Sequence, residues 1–439
     1  MKRIASLGLA LVLLCGVSAT ALADDVTDWN EQMLRAALIA GTNPTSTTRV
    51  AAMVQSAMFD AVNGINPRYS HIYVAPAAPA GASRRAAAVQ AAYAMLSKLY
   101  GASPANAPQV ALDARRIISM GEIAEDESAA SIAAGVAWGQ SVADQIFAIR
   151  STDGFTNTAP FPDNLNIGQW RRTQNLPVSP ALSVAGAGYL MVSTQTPWVM
   201  SSPMQFRPGP PPLVTSAQYA KDFNEVKTMG SQFSAARSSD LTANALFWNA
   251  GTASYLWNQV AMQLIEKNNH DRDRDDDWRH GRGSTLLENA RILAAIGLSM
   301  ADAAIACWDA KYEYHYWRPI TAIRETADDG NPATTPDSTW VPMFATPGHP
   351  EYPSGHSCVS GAASTVLAEE FGNRAHFTMT SDLMFGYQQA YRSFSDALEA
   401  VKNARIFAGI HFRTATEVGT ALGKTVAEFV LQERFQRIH

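Results

Sequence analysis

Three short stretches in the last third of the 439-residue chain combine residue types that suit a tetrahedral anion. They cover residues 311–319, 353–356 and 405–411. Lysine and arginine supply fixed positive charge, and a helix start supplies free backbone N–H groups. Imidazole supplies a nucleophile or a group that carries a proton. Together these groups predict a site for a phosphate-like oxyanion.

The first stretch carries two cations at helical spacing. Lys311 and Arg318 are seven residues apart, which is two helical turns. We therefore expect both to project from one face of a helix that Pro319 ends or kinks. Neighbouring aromatic residues would solvate these charges poorly, so an anion is expected to neutralise them. The alternative is a pair of surface cations whose apolar stems are buried.

The second stretch predicts the start of a helix, because Pro353 and Ser354 are residue types favoured there. Ser354 can donate its hydroxyl to an anion, and Gly355 allows the anion to approach the backbone. His356 then stands in position for proton transfer. The alternative is an ordinary capped helix with an incidental histidine. The small residues that follow predict close helix packing: Ser357, Ser360, Gly361, Ala362, Ala363 and Ser364.

The third stretch contains Arg405 and His411. On an unbroken helix their side chains would lie about 120° apart. We therefore expect the helix to end near Gly409 and His411 to lie on a turn. Considered alone, His411 could equally be a structural histidine.

In this order, the stretches resemble the signature of the vanadium-dependent haloperoxidases and the type-2 phosphatidic acid phosphatases. That signature reads Lys-x6-Arg-Pro, then Pro-Ser-Gly-His, then Ser-Arg-x5-His-x3-Asp. The chain matches the first two parts fully and the third at Arg405 and His411. It departs at Ala404, where the family has serine, and at Ala415, where an aspartate orients the imidazole. The resemblance covers residues 311–411.

The resemblance implies a role for each matched residue. His411 would bind vanadate through Nε2, or attack a phosphate ester, and His356 would be the acid–base group. The residues that would hold the oxygens of the anion are Lys311, Arg318, Ser354, Gly355 and Arg405. Without an aspartate at position 415, Glu417 or a backbone carbonyl is expected to orient His411.

Features outside the motifs favour the haloperoxidase branch. The lipid phosphatases of the superfamily span membranes several times, and its small soluble phosphatases lack the long region that precedes residue 311. Trp308 and His349 resemble the aromatic and second histidine positions that flank vanadate, with His349 in a bromide-type arrangement. These two would tune the reaction with halide or peroxide, although His349 is equally consistent with a loop histidine.

The resemblance therefore implies a vanadium-dependent haloperoxidase with vanadate as cofactor and phosphate as a competing anion. Its partners would be small molecules: hydrogen peroxide, a halide and an organic acceptor. One alternative is a soluble periplasmic acid phosphatase with a phosphohistidine intermediate. A second alternative is a non-catalytic anion-binding homologue.

Apolar spacing predicts that all-α helical bundles position these residues. Helical patterns cover residues 33–39, 50–62, 86–100, 129–149, 217–227, 240–248, 253–265, 286–323, 355–371, 381–410 and 417–435. Frequent prolines exclude long helices from residues 152–215 and predict an extended segment that wraps over the helices. A linker between two domains is the alternative. We divide the rest into an N-terminal helical region, 24–151, and a core that carries the site, 216–439.

The first 23 residues have the pattern of a signal peptide. Lys2 and Arg3 precede an apolar stretch, and small residues allow cleavage after Ala23. This predicts a secreted or periplasmic protein, with a lipid anchor at Cys15 as the alternative. The formal net charge of −5 argues against general binding of nucleic acid.

Two further features bear on the environment of the mature chain. The apolar residues 292–308 include Asp302, so we expect a buried helix there and no membrane insertion. Cys307 and Cys358 are predicted either to pair in an oxidising compartment or to remain buried thiols.

Overall fold

The computed structural model describes residues 24–101, 107–156, 162–173, 189–274, 282–325, 329–381 and 384–438. These residues form fourteen helices and one two-stranded sheet, which confirms the predicted all-α class. The helices are α1 Asp25–Ile39, α2 Pro44–Asn63, α3 Arg84–Tyr100, α4 Ala107–Ala124, α5 Ala129–Arg150, α6 Leu190–Ser193, α7 Ala217–Met229, α8 Ser239–Ala250, α9 Ala253–Arg274, α10 Arg282–Tyr314, α11 Pro319–Glu325, α12 Gly355–Phe371, α13 Phe394–Phe407 and α14 Arg413–Glu433. The predicted signal peptide lies outside the described residues.

Local side-chain capping explains where many of these helices begin. An Asp, Asn or Ser side chain accepts a hydrogen bond from a first-turn N–H, which would otherwise have no acceptor in the helix. The N-caps of this kind are Asp24, Asn43, Ser83, Ser128, Ser216, Ser238 and Ser393.

The long helix α10 lies at the centre of the fold. It packs against α2 on the N-terminal side and against α12 and α14 on the C-terminal side. Within the described chain, its residues Leu286–Tyr314 are long and apolar enough to cross a membrane. However, 94% of that apolar window is buried inside the protein. This agrees with the prediction of a buried core helix.

Helices α12 and α14 pack unusually closely, because glycines face backbone across the contact. A Cβ atom added to Gly361 would lie 2.5 Å from the Thr420 carbonyl oxygen, and one added to Gly423 would overlap the Cys358 carbonyl. The small residues after position 356 therefore form the close packing face that the sequence predicts. In the same region Cys307 and Cys358 are buried free thiols.

The described parts of the proline-rich segment lie along α10. The carboxylate of Asp302 accepts hydrogen bonds from three consecutive backbone N–H groups, those of Trp198, Val199 and Met200, at 2.7–3.0 Å. Because both the carboxylate and Trp198 are buried, these bonds fix the segment to the central helix.

Further along, the same segment covers the loops that lead to α11 and α12. The hydroxyls of Tyr314 and Tyr352 donate to the carbonyls of Pro208 and Gly209 at 2.5 and 2.7 Å. Trp170, also in the segment, is buried. The described parts of this segment therefore contact both α10 and the loops that lead to α11 and α12.

The structure differs from the predicted elements in three places. The helix predicted over 286–323 ends at Tyr314, where His315 has a φ of +50°, and a new helix begins at Pro319. The helix predicted over 381–410 is wrong in its first half. There β2 (Gln388–Tyr391) pairs antiparallel with β1 (Phe377–Thr380).

Each difference has a physical reason. Tyr391 packs against Phe377 across the hairpin, with ring centroids 5.6 Å apart, so tertiary contacts stabilise the strand. Helix α4 was not predicted, because its apolar residues do not mark a single buried face. Val110 and Ile117 are 70% and 71% exposed, so the apolar residues of α4 do not all repeat on one buried face.

Candidate active site

The three basic residues of the motifs reach the site from different elements. Lys311 lies in the last turn of α10, Arg318 in the connection to α11, and Arg405 in the last turn of α13. Their exposed fractions are 0%, 0% and 2%. No ion pair to any of them is found among the described residues. Buried cations without a carboxylate partner create a strong requirement for an anion.

Lys311 is held by the loop that leads into α12. Its Nζ donates to the carbonyls of Pro350 at 3.1 Å and Glu351 at 2.9 Å, and also to that of Pro353. The ammonium group therefore positions the residues immediately before Ser354.

Arg318 contacts two of the three histidines of the site. Its Nε donates to the His349 carbonyl at 2.9 Å, and its Nη2 lies 3.0 Å from His349 Nδ1. Its Nη1 lies 2.8 Å from the Ile410 carbonyl and 3.2 Å from His411 Nε2. The predicted common helix face with Lys311 is wrong, because α10 ends before Arg318. The two cations approach the site from a helix end and from the connection that follows it.

His411 lies just beyond the end of α13, as predicted. Gly409 has a φ of +77° and ends the helical path, which places His411 in the connection before α14. His411 Nδ1 lies 2.8 Å from Glu351 Oε1, and the same oxygen accepts the Phe412 N–H at 2.9 Å. The ring is therefore bound on one side by a carboxyl group and on the other by Arg318.

The partner of His411 is a residue that the sequence analysis missed. Glu417, proposed there, is exposed on α14, whereas Glu351 is fully buried. Ala415 contributes only its carbonyl, which accepts the Ser354 N–H at 2.9 Å. A signal was present in the sequence: Glu351 is an acidic residue between prolines, three positions before Ser354.

Several buried polar side-chain atoms around the start of α12 have no partner among the described residues. Among the described residues, the buried Ser354 Oγ, His356 Nε2 and Arg405 Nε have no hydrogen-bond partner. Ser354 is the N-cap of α12, yet its side chain makes no capping bond. Arg405 and His356 both lie beside the Trp248 carbonyl, so they share one part of the site. Buried polar groups rarely lack partners, and these fit the oxygens of a bound anion.

Glycine is required at position 355 because an aromatic ring lies against its backbone. A Cβ atom at this position would lie 2.8 Å from the Trp308 ring. The structure thus adds a packing reason to the predicted approach of an anion to this backbone.

The substitution Gly355→Ala is expected to lower the free energy of unfolding by about 1–3 kcal/mol, because the Trp308 ring or α12 must shift. It should also weaken binding of vanadate or phosphate. Urea unfolding and anion titration measure the two effects. Gly121→Ala is the control, since an added Cβ there meets nothing within 4 Å and a helical alanine stabilises slightly. Equal stabilities of the two variants would contradict the expectation.

Aromatic rings form one side of the site. The ring centroids of Trp308 and His349 are 5.2 Å apart, and Tyr189 from the wrapping segment lies 6.4 and 6.2 Å from them. Lys311 Nζ lies 5.5 Å from the Trp308 ring. The structure therefore brings both predicted tuning residues beside the cations, and it adds Tyr189, which the sequence analysis did not identify.

Burial dominates the electrostatics of the site. Burial lowers the pKa of Lys311 to about 8, that of Arg318 to about 10 and that of Arg405 to about 9. Burial and the neighbouring cations lower the pKa of His349, His356 and His411 well below its usual value, so the three imidazoles are neutral at pH 7. A bound anion would stabilise the charged forms of the three cations.

The chemistry of these donors fits an oxyanion better than a simple metal ion. No group of three or more His, Cys, Asp or Glu side chains that could hold a metal ion occurs within the described ranges. Instead the site offers guanidinium and hydroxyl donors, the N-terminus of α12 and neutral imidazoles with unprotonated nitrogens. Vanadate and phosphate both match such donors.

Comparison with known proteins identifies similar sequences. A family profile described as the VCPO second helical-bundle domain matches residues 291–439. The vanadium chloroperoxidase of Curvularia inaequalis is 26% identical in an alignment of 192 residues that covers 38% of this chain and 30% of that protein. The chain therefore matches less than a third of the length of this curated relative.

Solved structures are similar over most of the chain. The first bacterial vanadium-dependent iodoperoxidase has a TM-score of 0.75 at 24% identity, covering 94% of this chain and 97% of that one. A holo-type bacterial vanadium-dependent chloroperoxidase has a TM-score of 0.63 at 16% identity, covering 89% and 92%. At these identities the similarity demonstrates a shared helical fold.

Proposed function

We propose that this chain is a vanadium-dependent haloperoxidase, which binds vanadate and uses hydrogen peroxide to oxidise a halide. The match of residues 291–439 to the VCPO second helical-bundle domain supports this proposal, as does the fold shared with bacterial vanadium-dependent haloperoxidases. The observation that carries this proposal is the group of buried cations, Lys311, Arg318 and Arg405, which form no ion pair with a carboxylate among the described residues. Vanadate, when bound, acts as a Lewis acid that activates peroxide.

Each of the site residues has a different proposed role in binding the anion. His411 presents Nε2 as the ligand atom, and Arg318 Nη1, 3.2 Å away, already places positive charge at that atom. Ser354 Oγ and Arg405 Nε have no hydrogen-bond partner among the described residues and can donate to the anion. Lys311 adds charge and fixes the loop before α12.

His356 is proposed as the group that exchanges protons with peroxide. Its Nε2 is buried and has no partner in the described structure, and the ring is neutral because burial keeps its pKa well below the usual value. A neutral imidazole with a free nitrogen can accept a proton from a bound acid and return it later.

The aromatic side of the site favours a peroxidase over a phosphatase. A phosphatase must admit a phosphate ester and a hydrolytic water, whereas halide oxidation benefits from limited water. Trp308, His349 and Tyr189 form a largely buried wall beside Arg318, and the wrapping segment contributes one of these rings. The organic acceptor would then be halogenated outside the cation cluster.

The deciding experiment measures two reactions and the melting temperature of the purified protein. With vanadate and peroxide, it should halogenate a phenol-red type dye in iodide or bromide, and excess phosphate should inhibit by competition. Hydrolysis of a nitrophenyl phosphate without halogenation would instead establish the acid phosphatase. A rise in melting temperature with vanadate or phosphate, but neither reaction, would establish a non-catalytic anion-binding protein.

We also propose that the mature protein is secreted or periplasmic and begins at Asp24. The Asp24 side chain caps α1 and accepts a hydrogen bond from Asn289 at 2.7 Å, so cleavage after Ala23 preserves both interactions. Sequencing the N-terminus of protein from the periplasm or medium tests this. The proposed partners are small molecules, without nucleic acid or membrane insertion.

A further inference from the structure

Glu351 contacts the proposed ligand histidine across sixty residues of sequence. Its carboxyl group is fully buried, and its Oε1 lies 2.8 Å from His411 Nδ1. On the basis of the function proposed above, we propose that Glu351 is the positioning residue that holds His411 as the Nδ1–H tautomer and directs Nε2 at the anion. It would replace the aspartate that the family signature has at the position of Ala415.

The hydrogen positions follow from groups whose roles are fixed. The Phe412 N–H donates to Glu351 Oε1 at 2.9 Å, so this oxygen is an acceptor. The guanidinium Nη1 of Arg318, 3.2 Å from His411 Nε2, can only donate. Nε2 must therefore hold the lone pair, and Nδ1 carries the hydrogen that is donated to Glu351. The two neighbours of the ring favour the same tautomer.

The backbone of Glu351 is fixed from both sides. Its N–H donates to the Tyr316 carbonyl at 2.9 Å, and its own carbonyl accepts from Lys311 Nζ at 2.9 Å. The Phe412 N–H holds the side chain in place. A ligand histidine that is oriented in this way needs little reorganisation when an anion binds.

A second buried carboxylate near the site has a different function. Asp222 accepts the Thr414 N–H at 3.0 Å and the Gln218 amide at 2.8 Å, which stabilises the start of α14. In the described part of the chain it makes no hydrogen bond to His411. Asp222 is therefore a matched control: a buried acid in the same region that should not affect the tautomer.

The test compares Glu351→Met, Glu351→Gln and Asp222→Asn with the wild type. Nitrogen NMR of histidine-labelled protein without added anion reports which nitrogen of His411 carries the hydrogen. The His411 signal is assigned with His411→Ala. Calorimetric titrations with vanadate and with phosphate give the binding affinities.

We expect Glu351→Met to lose the Nδ1–H signature and to bind vanadate about 10–100-fold more weakly. Glu351→Gln should retain both properties within about threefold, because an amide oxygen can accept the same two hydrogen bonds. Asp222→Asn should behave as wild type. If Glu351 acted only through its negative charge, both Glu351 variants would bind the anion more tightly. That outcome, or an unchanged tautomer in Glu351→Met, would overturn the proposal.

A folding defect does not prevent the test. If circular dichroism shows that Glu351→Met is unfolded, Glu351→Asp takes its place, since the shorter side chain keeps a carboxyl group but withdraws it from Nδ1. Its expected result is the same loss of tautomer and affinity. The tautomer is measured without turnover, so a wild-type protein that fails to oxidise halide contradicts the proposed function and leaves the role of Glu351 to be decided separately.

Discussion

Replacing His411 with alanine should reduce vanadate-dependent halide oxidation by roughly a thousandfold or more, as is typical when the residue that makes the key bond is removed. His411 Nε2, which lies 3.2 Å from Arg318 Nη1, is the nitrogen that we propose as the ligand of vanadate. Without it, the buried cations would still attract an anion, but no protein atom would bind it as a ligand. Steady-state rates with peroxide and bromide or iodide measure the effect.

The control for this variant is His376→Ala, which removes an exposed histidine before β1. It should retain the wild-type rate. Adding imidazole to His411→Ala should restore part of the activity, because the removed ring leaves space beside Glu351. Activity above about a tenth of the wild-type rate in His411→Ala, with the fold intact, would exclude His411 as the ligand.

The largest effect on stability is expected for Asp302→Ala. The carboxylate accepts three buried N–H groups of the wrapping segment, and its removal leaves those donors without partners. A loss of about 3–5 kcal/mol in the free energy of unfolding is expected. Urea unfolding measures it, and limited proteolysis should show that residues 189–215 become accessible.

Asp309→Ala, in the same helix, is the matched control. Asp309 pairs with Arg207, also from the wrapping segment, but this ion pair is partly exposed, with side-chain exposures of 12% and 22%. Its loss should cost about 1 kcal/mol or less. If both variants lose equal stability, the three buried hydrogen bonds of Asp302 are not what holds the segment.

The effect of Asp302→Ala should also depend on pH. Burial raises the pKa of Asp302 to about 6 in the folded protein, from the usual value of 3.8. The folded state therefore binds this proton more tightly than the unfolded state. The stabilising contribution of the group is complete below pH 3.8 and decreases as the pH rises to about 6. The difference in stability between wild type and Asp302→Ala should be larger at pH 4.5 than at pH 7.

The helical class and the identity of the motif residues were predictable from local pattern. Apolar spacing located α3, α5 and α12 to within about two residues, because each buries one continuous face or begins at a capping residue. The hairpin was not predictable in this way. Its strand Gln388–Tyr391 is stabilised by Phe377 and by β1, which are contacts that a local window does not contain.

We predicted that the basic residues lie close together, but the geometric reason given for it was wrong. Spacing placed Lys311 and Arg318 on one helix face, whereas α10 ends between them. They still meet, because Lys311 binds the loop before α12 and Arg318 binds the backbone at positions 349 and 410. The assigned roles of these residues stay predictions until vanadate binding is measured.

The amino-acid sequence alone determined which side chains are available for chemistry, namely two histidines, three basic residues and a Ser-Gly helix start. It could do so because residue type and order are local properties. Only the tertiary structure decided which groups complete the site. Glu351, sixty residues from His411, and Tyr189, on the wrapping segment, reach it through the packing of distant elements. No local pattern encodes such contacts, since they depend on how α10, α12, α13 and α14 pack together.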